Sequence, residues 1–348
     1  MTQRSAPLGS TPSTITDPTM MRRRSTDKDP SGTLRVLRWV SVFGLLLPVF
    51  LLTVVAWTEH TNILTSAERD GTKIVDLFRE QAGNLFTGHE LILDMVVNRM
   101  QDRNKDKTQF ANILRELEVM DRRLDDASEI LLVDARGAVL ASTTDLRSDQ
   151  PPSAPDQKCF LALSKNEATS CIGRPHNDPR SGVKLFSLSR RMEQGGAFSG
   201  IVQVAISADY IVNLWASATP SEHDIVTMFT SDGTVLAQSG PRSQAGPSLP
   251  DVGRALINKI GRSPAGIIRA PLSTSGDDRI TVYAMLAEDP VYVSLSLSKS
   301  EILKEWYVIL IVYGVVAGCF MAGAVIALSI ALRRVRVFNN LLASNRRR

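Results

Sequence analysis

The sequence predicts an α+β protein in which a long N-terminal helix and two tandem modules, each a small antiparallel sheet flanked by helices, lie between two transmembrane helices. Three observations carry this expectation. Two uncharged apolar runs, 39–57 and 306–332, bracket a polar stretch. Residues 58–107 contain no proline and repeat apolar side chains at helical spacing. A strand-to-helix segment ending on tryptophan occurs twice, as GIVQVAISADYIVNLW (200–215) and YVSLSLSKSEILKEW (292–306).

A shift of 91 places Val202 on Val293, Val204 on Leu295, Ile206 on Leu297, Ser207 on Ser298, Ile211 on Ile302 and Trp215 on Trp306. Upstream of each copy lies a hairpin, ILLVDARGAVLAS (130–142) and IVTMFTSDGTVLAQ (225–238), aligned at a shift of 96 with Gly137 on Gly233 and Leu140 on Leu236. Each is two apolar strands around a turn that uses Gly for its positive φ. Hairpin, later strand and exit helix recur in the same order, which argues for two copies of one domain. A period of that length is too long for a solenoid repeat.

The net charge of +4 and pI near 9.0 are unevenly distributed. Residues 1–38 hold seven Lys or Arg against three Asp, and residues 333–348 hold six Arg and no acid. Those tails contribute +4 and +6 and the apolar runs nothing, so 58–305 carries −6 of the +4 total. An acidic body excludes a basic nucleic-acid binder. Runs of 19 and 27 uncharged residues suffice for a bilayer core that needs roughly 20. Arg35 and Arg38 before the first span, with Arg333, Arg334 and Arg336 after the second, put both tails (1–38 and 333–348) in the cytoplasm and 58–305 outside. Trp57, Trp306 and Tyr307 then fall at the outer interface. The alternative is a cleaved signal peptide with its cut near Val54-Val55-Ala56, although the run exceeds the usual 7–15-residue apolar region and follows a 38-residue leader. Residues 1–33, rich in Ser, Thr, Pro and Arg, are expected to be disordered.

Ile63, Ala67, Ile74, Phe78, Leu85, Ile92, Val96 and Met100 mark the buried face of a helix over 58–102, about 68 Å long at 1.5 Å per residue. Gly71, Gly83 and Gly88 are its weak points, and His89 reads as a packing residue beside the stripe. A shorter amphipathic helix is expected over 108–124, with Phe110, Leu114, Leu117 and Leu124 inward. The first hairpin follows, then a Pro-rich loop (144–158), a short helix (156–163) and strands at 184–192 and 200–206, giving a first module of 108–215. The second module, 216–305, has a loop at 241–250, a helix at 252–260, and strands at 266–270, 280–286 and 291–297. Cys159 and Cys171 lie outside the membrane and close a 13-residue loop, so a disulfide stabilising by roughly 3 kcal/mol is expected. Two buried thiols are the alternative. Metal binding would need more ligands than His176, the nearby imidazole, and Cys319 reads as an apolar packer in the second span.

The hairpins VDARGAVLA (133–141) and FTSDGTVLA (229–237), with the segment from Ile172-Gly-Arg-Pro through Leu188-Ser-Arg-Arg to GIVQVAIS (200–207), resemble the double Cache sensor domains of bacterial transmembrane receptors, built of two PAS-like modules. The resemblance covers about 60–305 and rests on the order of elements between two spans. It implies a bacterial inner-membrane receptor that binds a small molecule in the membrane-distal module, here at positions from Asp156 to Arg191, and signals as a homodimer to a histidine kinase, diguanylate cyclase or chemotaxis output in cis or in trans. Members similar to amino-acid chemoreceptors carry an Arg followed by a Trp-Tyr pair on the short helix, where this chain has Gln157-Lys-Cys-Phe.

Physical reasoning points to a polar pocket in the same region. Lys184, Phe186, Leu188 and Arg190 alternate onto one strand face. Arg174, His176 and Asp178 come from the neighbouring loop, and Phe160 could wall one side. A carboxylate or similar anion held by the Arg190 fork is the sharp hypothesis, and an ion pair or solvated edge strand the bland one. Gly314, Gly318 and Ala322 form a small-residue stripe of the GxxxG type in the second span, a candidate dimer contact against ordinary Gly usage in membrane helices. The four histidines are scattered, and no HExxH, GxSxG or phosphate-binding loop occurs, so neither catalysis nor a cofactor or metal is expected. The leading expectation is a ligand-sensing input module, and the alternative an envelope scaffold that senses nothing.

Overall fold

A single helix, α1 (Pro30–Gln101), carries both the first apolar run and the expected stalk with no break between them. The computed structural model describes residues 30–101, 112, 127–143, 156–178, 181–239, 257–271, 278–287 and 290–345. The expected helix over 108–124 and the loop over 241–250 lie outside the described residues apart from Asn112, as does most of the 144–158 loop. The chain forms two compact units, Thr53–Val315 and a second made of Met1–Leu52 with Val316–Arg348.

In the larger unit α1 is followed by β1 (Ala127–Asp134), β2 (Val139–Ser142), α2 (Gln157–Ser164), β3 (Ser170–Ile172), β4 (His176–Asn177), β5 (Lys184–Gln194), β6 (Ala197–Ser207) and α3 (Ala208–Ala216). The second module follows as β7 (Ile225–Thr230), β8 (Val235–Gln238), β9 (Ala265–Pro271), β10 (Asp278–Met285) and β11 (Val291–Ser298). A one-turn α4 (Lys299–Ile302) then leads to α5 (Lys304–Asn345). The first sheet runs β2-β1-β6-β5-β3 with β4 on β5, and the second β8-β7-β11-β10-β9. The two orders correspond strand for strand, so the internal repeat read from the sequence is a repeat of topology. Every pairing is antiparallel. This is the α+β architecture of a long helix with two PAS-like modules.

Both sheets press one face on α1. Val75, Phe78, Phe86, Leu93 and Val96 of the helix share one continuous core with Ile130, Leu132, Phe186, Leu188, Val202, Val204 and Ile206 of the first sheet and with Val226, Met228, Val282, Val293 and Leu295 of the second. Phe86 stacks on Phe186, and Phe78 on Trp215 of α3 at a centroid distance of 5.0 Å. Gly71 is no weak point. A Cβ there would lie 3.1 Å from Leu297 Cδ1, so the glycine lets β11 approach the helix. Gly83 and Gly88 face open space. His89 is buried on the stripe with Nδ1 2.7 Å from Leu85 O, as expected for a packing residue.

Among the described residues two helices are long and apolar enough to cross a membrane. Their large apolar side chains, among them Phe43, Phe50, Phe320 and Ile326, are exposed rather than packed, as lipid-facing residues would be. The second helix continues to Asn345, beyond the expected end at 332.

Candidate functional site

Period-2 alternation fixes which side chains of the first sheet face away from α1. On β5 the residues packed on the helix are Phe186, Leu188 and Met192, which leaves Ser187, Ser189 and Arg191 on the outer face. On β6 the outer residues are Ile201, Gln203 and Ala205, and on β1 they are Glu129, Leu131 and Val133. Register then sets two rows across the sheet. One runs Ser142, Leu131, Gln203, Ser189, Cys171, and the next runs Glu129, Ala205, Ser187.

These rows form a buried polar floor. Glu129, Ser142, Ser187, Ser189 and Gln203 each show 0% exposure, although burying five polar side chains on one sheet face costs free energy unless each finds a partner. Ser142 Oγ donates to Glu129 Oε1, and Ser189 Oγ donates to Gln203 Oε1 at 3.3 Å. Among the described residues Ser187 Oγ and Gln203 Nε2 have no hydrogen-bond partner. They belong to diagonal neighbours on adjacent strands, since Ser187 pairs with Ala205 and Gln203 with Ser189. Between them they offer a hydroxyl and an amide N–H₂ to one occupant.

The helix α2 is fastened beside this floor from both ends. Asp156 caps it, Oδ1 accepting from Cys159 N at 3.0 Å, while Oδ2 accepts from Arg174 N at 2.9 Å. The expected disulfide is present, joining Cys159 to Cys171 on β3 with a Cα–Cα distance of 5.5 Å. At the other end Arg191 Nη1 donates to Leu163 O and, at 3.1 Å, to Ser164 O. Its guanidinium also lies 4.9 Å above the Phe198 ring. Here a cation satisfies the open carbonyls of a helix C-terminus. Gly173 permits the close approach of β3, because a Cβ there would collide with Ser187 Oγ and lie 3.2 Å from Asp156 Cβ.

The six residues expected to hold a ligand do not converge. The face shared by Lys184, Phe186, Leu188 and Arg190 is the face packed on α1, so the expectation for Arg190 needs correction. Its Nε lies 2.7 Å from Asp94 Oδ1 on the helix, an ion pair that places the guanidinium on the opposite side of the sheet from the polar floor. Lys184 is half-buried at the start of β5, in register with Asn177. Asp178 is buried, its Oδ2 accepting from Ser181 N and Ser181 Oγ (2.7 Å) in the turn before β5. Arg174 is exposed, and the His176 Nδ1 lies 3.4 Å from Arg174 O. Phe160 packs edge-on against Phe198 and adjoins Val133, Leu163 and Ile201. Sequence reasoning missed Arg191 and the Ser187–Gln203 floor. The signal was the alternation itself, with Arg191 one residue out of phase with Phe186 and Leu188.

The two modules meet at a cleft of about 300 Å³ lined by Asp156, Lys158 and Gly173 on one side and Thr230, Asp232 and Pro290 on the other. Lys158 Nζ lies 3.7 Å from Asp232 Oδ2 across it. Burial pushes the Asp232 carboxyl up, but hydrogen bonds from Thr230 and Thr234 and the charge of Lys158 outweigh it and hold the group below the usual range. Nearer the apolar runs, Trp306 Nε1 donates to Ala56 O at 3.2 Å and its ring meets His60 edge-on at 5.2 Å, which joins the start of α5 to α1. Among the described residues no cluster of metal-ligating side chains occurs.

No family model and no curated protein matches the sequence. Solved structures do match in fold. The extracellular domain of a putative histidine kinase, rpHK1S-Z16, superposes with a TM-score of 0.60 at 24% identity, covering 69% of this chain and 98% of that one. The ligand-binding domain of the Pseudomonas fluorescens chemoreceptor CtaA, in complex with L-isoleucine, gives 0.52 at 16% identity over 72% of this chain and 99% of that one. That of the Pseudomonas aeruginosa PAO1 amino acid chemoreceptor PctB, in complex with L-Arg, gives 0.52 at 15% identity over 68% and 97%. The fold is therefore that of Cache-type extracellular sensor domains, in the double arrangement.

Proposed function

We propose that this chain is the input module of a transmembrane receptor and that a small polar ligand seats on the outer face of its first, membrane-distal module. The observation that carries the reading is the pair of unpartnered groups, Ser187 Oγ and Gln203 Nε2, on a fully buried floor. An amide N–H₂ and a hydroxyl suit an acceptor oxygen, so the ligand class is a carboxylate or comparable small anion, or a zwitterion that carries one. Ligand-binding domains of like fold support the sensing role.

The two apolar helices cross a bacterial inner membrane, with both tails cytoplasmic and 58–305 outside. A change at the distal floor passes through α2 and the Lys158–Asp232 contact to the second module, then through α4 to the joint at Trp306. Two copies associate along Gly314, Gly318 and Ala322, where no atom lies within 4 Å of a Cβ built at either glycine. The output, in cis or in trans, is a cytoplasmic kinase, cyclase or chemotaxis module, and the chain acts as a receptor rather than an enzyme.

Isothermal titration of the full chain in lipid nanodiscs against carboxylates and amino acids tests this. A bound compound should bind roughly three- to tenfold more weakly to Gln203→Leu and to Ser187→Ala, the loss of one hydrogen bond each. Arg190→Ala should retain affinity. The opposite pattern, with Arg190→Ala abolishing binding and the floor variants unchanged, would sink the assignment. A dimer crosslink through a cysteine placed at Gly314, in a Cys319→Ser background, checks the association.

A further inference from the structure

The topological repeat allows the outer face of the second sheet to be compared with the first, residue by residue. In β11 the residues facing α1 are Val291, Val293, Leu295 and Leu297, which puts Tyr292, Ser294 and Ser296 outside. One row runs Gly266, Tyr283, Ser294, Thr227, and the next Ile268, Thr281, Ser296, Ile225. Ser294 occupies the place of Gln203, Tyr283 that of Ser189, Thr281 that of Ser187 and Ile225 that of Glu129. Thr227, Thr281, Tyr283, Ser294 and Ser296 are 4, 2, 1, 3 and 6% exposed.

Five buried hydroxyls on one sheet face ask for partners, and among the described residues one, that of Tyr283, is left without a hydrogen bond in good geometry. Thr281 and Ser296 bond each other at 2.9 Å. Ser294 Oγ reaches Thr227 O only at 3.5 Å, the limit of a hydrogen bond. Tyr283 Oη has no partner in bonding geometry among the described residues. Its polar neighbour is Ser263, which donates to Ala265 O at 2.6 Å and retains acceptor capacity toward the phenol. The hydroxyls are walled at one end by the Phe229–Tyr292 stack with Ile260 and Met285. A polar floor with an aromatic wall is the composition of a small-molecule site.

We propose that the second module holds its own ligand site on this face, for a small uncharged molecule bearing hydroxyl or carbonyl oxygens. The inference rests on the same reading of the outer face as the distal site but concerns a different module and a different ligand. No side chain in these two rows carries a formal charge; the cation on the face, Arg279, lies two residues before Thr281 and points to backbone oxygens. Ile225 stands where the first floor has Glu129. At the far end of the face Arg279 donates to His223 O and Ser296 O, and Asp224 accepts from Ser298 N. Two strand spacings by two residues along a strand give a floor of about 10 by 7 Å, the size of a monosaccharide or smaller polyol.

The test uses the full chain in nanodiscs with glycerol, myo-inositol and glucose as probes, read by saturation-transfer NMR. Three forms are compared: the native sequence, a distal variant Ser187→Ala/Gln203→Leu, and a proximal variant Thr281→Val/Ser296→Ala. The proximal pair replaces both partners of one hydrogen bond by groups of similar shape, so folding should be nearly unaffected and an unchanged Tm confirms it. At least one probe should bind saturably to the native and distal forms and roughly tenfold or more weakly to the proximal form. The proposal is overturned if no probe binds the native form at millimolar concentration, or if binding is lost in the distal form and kept in the proximal one. If carboxylates bind and no neutral probe does, the distal function stands and the second site falls.

Discussion

Removing the Cys159–Cys171 bridge is expected to destabilise the larger unit by an amount that the sequence separation of 12 fixes in advance. In the chain-entropy model a closed loop of this size removes about 10 cal/mol/K from the unfolded ensemble, or about 3 kcal/mol at 25 °C. That is a change of roughly 130-fold in the folded-to-unfolded ratio. The native geometry should survive, because other ties hold α2: the two Asp156 acceptor contacts and the Arg191 bonds to Leu163 O and Ser164 O. The effect thus acts through the unfolded chain. For a unit of this size the Tm should fall by about 6–12 °C. The assay is thermal unfolding of the full chain in detergent micelles, comparing Cys159→Ser/Cys171→Ser with its parent, both carrying Cys319→Ser. A shift below about 2 °C would refute the reasoning that the bridge constrains the unfolded chain. New protease sites confined to α2 below the transition would show that the remaining ties do not hold.

Further perturbations test other elements. Gly200 has φ +138° and a Cβ there would collide with Val133 O on β1, so Gly200→Ala should cost more than about 2 kcal/mol in denaturant unfolding, where a change under 0.5 would contradict the contact. Phe78→Ala empties the position stacked on Trp215 in the shared core and should cost about 3–5 kcal/mol, with both modules losing stability together. Burial raises the Asp224 carboxyl above 3.8, so the folded state holds that proton more tightly than the unfolded one. Its contribution is full below 3.8 and lost as pH rises through the folded pKa. Asp224→Asn should therefore flatten the fall in Tm above that point, and identical pH profiles would count against the burial argument.

Much of the fold was legible because it repeats. The hairpins and the strand-to-helix segment are local patterns of period 2 and 3.6, and finding each twice in the same order pointed to two copies of one module; the order of strands within each sheet came only from the structure. Local patterns also gave α2, whose cap is Asp156, and the Cys159–Cys171 pair. The site was harder to read because both faces of each sheet are buried. β5 carries apolar residues on the α1 side and small polar ones on the other, with Arg190 and Arg191 adjacent. Alternation separates the faces but does not say which covers the helix. Arg190 was drawn to the wrong side because Asp94, its partner, lies 96 residues earlier on an element whose rotation no local pattern records.

The shared core has a bearing on how the protein is made. The apolar stripe of α1 is finished when the chain has reached residue 101, yet the side chains that cover its lower part include Val282, Val293 and Leu297 of the last two strands. Phe78 waits for Trp215, and Gly71 for Leu297. As the chain is made N-terminus first, that stripe stays bare until the last strand, β11, has been added. The stripe is therefore exposed for most of synthesis, and a chain stopped after Trp215 should remain sensitive to protease along residues 64–75 while the completed one resists.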